Sequence, residues 1–165
     1  MKRNFLDSNE GCEDYYKDGG MGACGEDFDE TCECVELPGH LDIRFYKCNV
    51  CGQIIARIGD KGNPLTCCMR EMELLVPGTV EASAEHHIPV FKKHGHKVKV
   101  CVGDVPHPMT PDHHIEWICM VTDRNIYWTD VSKCEKAEAC FRIESGECVA
   151  AVYAYCNLHR LWKCC

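Results

Sequence analysis

Hydrophobic and polar residues alternate with a period of two in several short segments, which is typical of β-strands. The clearest case is Lys97-Val98-Lys99-Val100, where the valines are predicted to face a core and the lysines solvent. The strands predicted in the C-terminal part are 97–102, 115–121, 126–131, 140–143 and 149–155. Turn-forming residues separate them, and no segment shows the period of an amphipathic helix. The pattern predicts a small antiparallel β-sandwich or barrel.

A shorter unit precedes these strands. Residues 41–46 alternate as a strand that leads into Cys48, and the turn-forming residues 59–64 lead to Cys67 and Cys68. So short a unit has little core, and we expect bound metal to supply much of its folding free energy. The predicted division of the chain is an extension at 1–41, a metal-binding unit at 42–76 and a β-domain at 77–165.

The cysteine content narrows the chemistry. The chain has 165 residues, and 16 of them are cysteines. That density indicates either a disulfide framework or metal sites. The first residues lack the apolar segment of a secretory signal, and no apolar run approaches the roughly 20 residues of a membrane span. We therefore expect a cytoplasmic chain whose thiols stay reduced and bind metal.

The net charge of −8 is unevenly distributed. Residues 1–41 hold eleven acidic and three basic residues, whereas acids and bases cancel in residues 42–165. No basic patch indicates nucleic-acid binding. The acidic extension is expected to be poorly ordered on its own. We interpret its thiols as incidental rather than as a third metal site, since their spacing matches no motif: Cys12, Cys24, Cys32 and Cys34.

Four cysteines form the candidate first site. Cys48 and Cys51 are separated by two intervening residues, and Gly52 lets the backbone turn toward the two sulfurs. Their partners, Cys67 and Cys68, are adjacent, whereas zinc ribbons repeat the two-residue spacer. We expect this pair to open and distort the tetrahedron. Four thiolates suit iron and zinc equally, so a purely structural zinc site is the alternative.

Five residues of the C-terminal part form the candidate second site: His87, His107, His113, Cys156 and His159. Prolines on both sides of His107, and Pro89 after His87, restrict the backbone near these imidazoles. Cys156 and His159 are three residues apart, which lets both reach one metal. Ordinary surface or core positions are expected for four of the other five histidines, His40, His94, His96 and His114.

Five donors suit a metal that takes more than the four ligands of a zinc tetrahedron, such as iron. One coordination position would then stay open for chemistry. Neutral imidazoles leave a ferrous centre positively charged, and one thiolate opposite the open position pushes electron density toward whatever binds there. Such a centre suits the one-electron reduction of a small oxygen species.

Six motifs follow one another between residues 42 and 163: Tyr46-Lys47-Cys48-x2-Cys51-Gly52, Cys67-Cys68-x3-Met72, Glu85-x-His87-x-Pro89-Val90, Val105-Pro106-His107-Pro108-Met109, His113-x-Ile115-Glu116-Trp117 and Tyr155-Cys156-Asn157-Leu158-His159-x-Leu161-Trp162. In this order and spacing they resemble the desulfoferrodoxins, the two-iron superoxide reductases. The resemblance implies a mainly β fold, in which an immunoglobulin-like antiparallel β-sandwich follows a small desulforedoxin-like metal-binding unit.

The resemblance also implies the cofactors and the activity. Each chain would carry one Fe(Cys)4 centre and one iron with Cys156 as the axial ligand and four equatorial imidazoles, those of His87, His107, His113 and His159. The implied reaction reduces superoxide to hydrogen peroxide with one electron and two protons, as an oxidative-stress defence in anaerobes. The implied setting is a cytoplasmic homodimer supplied with electrons by a rubredoxin-like donor.

The sequence departs from the family pattern next to His87. Glu85 matches a glutamate that closes the sixth position of the family's resting ferric iron, but the family's lysine is here replaced by His86. A lysine is charged at pH 7, whereas a histidine is only partly so. We expect His86 to be the substitute, acting when protonated, with a weaker or pH-dependent attraction for superoxide.

Extra thiols are a further departure: Cys101, Cys119, Cys134, Cys140, Cys148, Cys164 and Cys165. Cys101 and Cys119 fall within predicted strands and are expected to be buried as small hydrophobic residues. The terminal pair, Cys164 and Cys165, is expected to be exposed and oxidisable.

Two alternatives to a superoxide reductase stay open. An electron-transfer protein would use both irons only as relays, but it has no need of a vacant coordination position. A structural or zinc-storing protein would explain the thiols, but it would not explain the imidazoles.

Overall fold

The computed structural model describes Cys34 and residues 42–59, 62–79 and 82–165. Apart from Cys34, the predicted extension at 1–41, which includes His40, lies outside the described residues. No helix in the described ranges is long and apolar enough to cross a membrane.

The described residues form twelve strands and one short helix. The N-terminal strands are β1 (Ile43–Lys47), β2 (Ile54–Ile58), β3 (Thr66–Cys67), β4 (Arg70–Glu71) and β5 (Glu73–Leu75). The single-turn helix is α1 (Ala84–His87). The remaining strands are β6 (Pro89–His94), β7 (Lys97–Val102), β8 (Ile115–Thr122), β9 (Ile126–Asp130), β10 (Glu138–Arg142), β11 (Val149–Cys156) and β12 (Arg160–Cys164).

The strands after α1 form two antiparallel sheets, one of three strands in the order β10-β7-β6 and one of four in the order β12-β11-β8-β9. The sheets pack face to face around a core that includes Val98, Val100, Ile118, Met120 and Val152. Seven strands divided three and four make an immunoglobulin-like sandwich. The predicted mainly β fold is confirmed.

The N-terminal unit is a three-stranded sheet in the order β2-β1-β5 with a β3–β4 hairpin beside it. Its apolar residues pack on the outer face of the four-stranded sheet, where Phe45 contacts Trp117 and Tyr153 at ring-centroid distances of 5.1 Å. The four-stranded sheet is therefore covered on both faces. That is why β8 and β11 are buried along almost their whole length and do not alternate.

The structure locates the predicted strands to within two residues at each end. The segment 97–102 is strand β7 as predicted, and 115–121 is β8 with one more residue. Sequence patterns missed β6 and β12, which are edge strands of their sheets, and the short strands β2 to β5.

Some thiols are oxidised, contrary to the expectation that they stay reduced. Cys34 and Cys165 form a disulfide with a Cα–Cα distance of 5.9 Å. Cys101 and Cys134 each take part in a disulfide as well, so Cys101 is buried as expected but is not a free thiol. Cys119 is buried and free, as predicted. Cys164 is free and half-buried, so only its neighbour Cys165 is both exposed and oxidised.

Candidate metal centres

The first site consists of Cys48, Cys51, Cys67 and Cys68, and the structure brings all four sulfurs together within 4.8 Å of one another. The turn after β1 carries the first pair, and the amide of Gly52 donates to the Cys48 carbonyl at 2.9 Å. Gly52 has φ of +77°, so this turn requires a glycine. Cys68 itself has φ of +49°, which lets two adjacent sulfurs face one point.

The spacing of these sulfurs fits a metal. Cys67 Sγ lies 3.6 Å from Cys51 Sγ and 3.8 Å from Cys68 Sγ. Four sulfurs at metal bonds of about 2.3 Å in a tetrahedron are about 3.8 Å apart. The four thiols do not all ionise readily. Hydrogen bonds from the backbone amides of Cys51 and Val50 lower the pKa of Cys48 to about 6. Hydrogen bonding to Cys51 raises the pKa of Cys67 to about 12. A cation removes this conflict, since it stabilises all four thiolates.

The second site consists of His87, His107, His113, Cys156 and His159. His87 ends α1, the loop between β7 and β8 carries His107 and His113, Cys156 ends β11, and His159 lies in the turn before β12. The ligand atoms of the first four lie within 4.8 Å of one another. His159 Nδ1 lies 2.9 Å from His87 Nε2 and 3.8 Å from Cys156 Sγ. All five predicted residues therefore converge.

Two of these imidazoles aim an unpaired nitrogen into the site. His107 Nε2 and His113 Nε2 are buried and have no hydrogen-bond partner among the described residues. A buried polar atom without a partner costs free energy, which a bound metal would recover. One thiolate and four imidazoles are donors that iron accepts. The donor set therefore fits iron.

Backbone carbonyls orient the rings from behind. His87 Nδ1 lies 2.7 Å from the Ser83 carbonyl oxygen, and His107 Nδ1 lies 2.6 Å from that of Pro108. A carbonyl can only accept, so each Nδ1 carries the proton and each Nε2 keeps an unprotonated lone pair that can bind a metal. These tautomers are the ones that ligation requires.

Burial keeps the imidazoles neutral. It lowers the pKa of His87 and of His113, and it lowers the pKa of His107 to about 4. Neutral imidazole is the form that binds a metal. Burial also raises the pKa of Cys156, while the backbone amides of His159 and Leu158 act in the opposite direction as donors to its sulfur.

The turn between β11 and β12 is fixed from two sides. Asn157 accepts a hydrogen bond from the His114 amide at 3.0 Å and donates one to the Asp112 carbonyl at 2.9 Å, which ties the turn to the His113 loop. Trp162 stacks on the His87 ring at a centroid distance of 4.8 Å, and its indole N–H donates to the His159 carbonyl at 2.9 Å. Trp162 thus holds two ligand residues at once.

Gly103 allows the His107 loop to approach α1. Its φ is +84°, and an added Cβ would lie 2.4 Å from the Val105 carbonyl oxygen and 2.7 Å from that of His86. Only a glycine fits this position without moving the backbone. Sequence reasoning missed Gly103 and Trp162, although a glycine just before a ligand loop is a signal that could have found the first.

Glu85 and His86 lie on α1 beside His87, but the Glu85 carboxylate is not among the clustered ligand atoms. It accepts a hydrogen bond from Ser83 Oγ at 3.0 Å and lies 3.8 Å from His86 Nε2, with its side chain 66% exposed. The Nδ1 atom of His86 is buried and has no hydrogen-bond partner within the part of the chain that the structure describes. The histidines predicted not to be ligands, His94, His96 and His114, lie outside the cluster.

Comparison with known proteins agrees with this geometry. Family models match the chain in succession, the desulfoferrodoxin N-terminal domain over residues 42–75 and desulfoferrodoxin over residues 79–165. The chain belongs to the desulfoferrodoxin family. It is 39% identical over 127 residues to the desulfoferrodoxin of Desulfarculus baarsii, a match that covers 77% of this chain and 98% of that protein.

Two further matches carry the name superoxide reductase. The chain is 35% identical over 97 residues to the superoxide reductase of Thermococcus kodakarensis, covering 48% of this chain and 84% of that protein. The crystal structure of the superoxide reductase from Treponema pallidum matches with a TM-score of 0.65 and 33% identity, covering 75% of this chain and 99% of that one. This member of the desulfoferrodoxin family is thus an iron protein of the superoxide reductase family, and the iron predicted at both sites is confirmed.

Proposed function

We propose that this chain is a superoxide reductase, which combines superoxide with one electron and two protons to give hydrogen peroxide at the second site. The observation that supports this most is the convergence of four imidazoles and one thiolate on one point. Five donors leave one position of an octahedral ion for the substrate, whereas a site that only relays electrons needs no vacancy.

In this proposal the imidazoles of His87, His107, His113 and His159 and the thiolate of Cys156 would hold the iron. Bound iron supplies the one-electron chemistry, and its potential depends on the thiolate. The protein's part is to keep the imidazoles neutral by burial and to orient His87 and His107 through the carbonyls of Ser83 and Pro108. Amide donation from Leu158 and His159 stabilises the thiolate of Cys156 within a buried site.

Glu85 and His86 are proposed as the groups beside the open position. His86 is one third exposed and therefore reachable from solvent, and it offers an imidazole N–H to an incoming anion. The exposed Glu85 carboxylate would have to leave Ser83 Oγ in order to approach the iron. Protons for peroxide release come from solvent.

The first site is proposed to hold its iron through four cysteines, two of which, Cys51 and Cys68, are exposed. Exposed ligands allow an electron donor to approach closely, which supports a rubredoxin-like donor. A homodimer in the cytoplasm completes the proposal. The disulfide of Cys34 and Cys165 is unusual for a reducing compartment, so cell fractionation is the direct check of location.

The test uses anaerobically purified protein during stepwise oxidation, with metal content and visible spectrum recorded together. We expect two irons per chain, and a thiolate-to-iron band that Cys156→Ser removes while the Fe(Cys)4 bands stay. Superoxide should then be consumed with peroxide formed and no oxygen released. Oxygen release would indicate dismutation and contradict the proposal.

Azide separates this proposal from an electron-transfer protein. An iron with an open position changes its spectrum when azide binds to the oxidised protein, whereas a closed relay site does not respond. An unaltered spectrum at saturating azide would favour the relay.

A further inference from the structure

The segment around Cys48 makes two polar contacts with the residues that flank the second-site ligands. On one side of Cys48, the Lys47 ammonium donates to the Tyr155 hydroxyl at 2.9 Å, and Tyr155 directly precedes Cys156. On the other side, Asn49 Nδ2 donates to Glu73 Oε2 at 3.0 Å. The second carboxylate oxygen of Glu73 accepts from Arg160 Nη1 at 2.5 Å, and Arg160 directly follows His159.

Both neighbours of a first-site ligand are thus joined to the neighbours of two second-site ligands. The turn that these contacts hold carries Cys156 and His159, which are three positions apart. Arg160, the next residue, has a left-handed backbone conformation with φ of +59°. A non-glycine residue adopts that conformation at a cost, so contacts that hold Arg160 in place stabilise the turn.

We propose that Lys47–Tyr155 and Asn49–Glu73–Arg160 couple the two metal sites, so that metal in the first site strengthens metal binding in the second. The inference rests on the proposed ligand sets and deepens the proposed function. Metal in the first site fixes Cys48, which fixes Lys47 and Asn49. Through Tyr155 and Glu73 these hold the turn that carries the Cys156 thiolate and the His159 imidazole. Coupling of this kind is reciprocal.

Glu73 and Tyr155 are positioning residues in this scheme, because neither touches a metal or substrate. Glu73 belongs to β5 of the N-terminal unit, and Arg160 begins β12 of the sandwich. The Arg160 guanidinium lowers the pKa of the Glu73 carboxyl, with Asn49 adding to the effect. Tyr155 is almost fully buried and stacks on Trp117 at 5.4 Å, so its hydroxyl is aimed at Lys47 by rigid packing.

The test measures metal affinity and needs no superoxide. Full-length reduced protein is loaded at the first site with Cd²⁺, which thiolates prefer. The affinity of the second site for Co²⁺ is then measured by competition with a chelator, using the thiolate-to-cobalt absorption. The same titration is made with the first site left empty in the double variant Cys51→Ser, Cys68→Ser.

We expect cadmium occupancy to raise the cobalt affinity of the parent chain by about 5- to 150-fold, the usual range of coupling between sites. The combination of Glu73→Ala with Tyr155→Phe should bring this factor close to one. Tyr153→Phe is the matched control. It removes a hydroxyl from the same face of β11 and should leave the factor unchanged, since the contact between Lys47 and Tyr155 is kept.

Charge reversal guards against simple misfolding. Glu73→Arg alone and Arg160→Glu alone should each lower the factor, and the two together should restore it. A parent factor of one would overturn the inference, as would a factor that survives loss of both contacts. Superoxide turnover without coupling refutes this inference alone, whereas coupling in a chain inert toward superoxide refutes the proposed function alone.

Discussion

The first and second metal sites of this chain rest on very different amounts of packed structure. The hairpin that carries Cys67 has strands of two residues each, and Cys51 and Cys68 are exposed. At the second site, Cys156 is the last residue of the eight-residue strand β11, and the His113 loop leads into the eight-residue strand β8. Cys156 and His87 are 0% and 3% exposed. The sandwich core can thus pre-form one set of ligands, whereas the other set depends on its metal for order.

The largest expected effect comes from stripping metal with a chelator under reducing conditions. Binding of a structural metal contributes about 10 kcal/mol or more to folding of small metal-held units. We expect amide protection from hydrogen exchange to vanish in β2 to β4 and to persist in β7, β8 and β11. Equal loss of amide protection in both regions would show that the sandwich also needs metal to fold. It would contradict the proposed difference between the two sites.

The next effect is at the second site itself. Cys156→Ser should lower the superoxide rate at least about 100-fold, because even residues behind the ligands change metal affinity or activity by about 10- to 100-fold. Cys119→Ser, another buried free thiol, is the control and should retain the rate. Stopped-flow measurement of superoxide decay gives the rate of each variant.

A backbone substitution tests the support of the His107 loop. Gly103→Ala should lower the free energy of unfolding by about 3 kcal/mol and weaken iron binding at the second site, since its Cβ meets two carbonyl oxygens. Gly95 has φ of +57°, but a Cβ added there would have no atom within 4 Å, so Gly95→Ala is the control. It should cost only about 1 kcal/mol and leave iron affinity unchanged. Denaturant titration and chelator competition give the two values.

The smallest effect concerns the residue beside the open position. His86→Lys should raise the superoxide rate about threefold at low ionic strength, with the gain shrinking in salt, because a fixed positive charge attracts the anion. His94→Lys adds the same charge at the far end of β6 and should have little effect. Equal gains from both variants would mean that net charge matters and that His86 has no special position.

The sequence allowed prediction of most sandwich strands and all the clustered ligands. Strands such as β8 carry long apolar runs, and the motifs around Cys48 and Cys156 have characteristic spacings. The edge strand β6 was missed because it opens with Pro89 and carries two lysines in a row. A single turn of helix at His87 is too short to show a period.

The contacts that orient the ligands could not be predicted. The acceptors behind His87 and His107 are backbone carbonyls, which any residue provides, so their positions depend on the folded loops. The pairing of Glu73 with Arg160 joins residues 87 positions apart on separate sheets. The oxidised thiols were predicted wrongly because cysteine content alone does not say which pairs meet.

The disulfide between Cys34 and Cys165, 131 positions apart, makes the intervening chain a covalent ring. Tension applied upstream of Cys34 and at Cys165 passes through the sulfur bridge and leaves the sandwich unloaded. A single proteolytic cut within the ring opens it without releasing a fragment. In the unfolded chain a closure of this length removes conformational freedom worth about 5 kcal/mol. Reduction of one bond therefore changes how the whole molecule responds to force, proteases and heat.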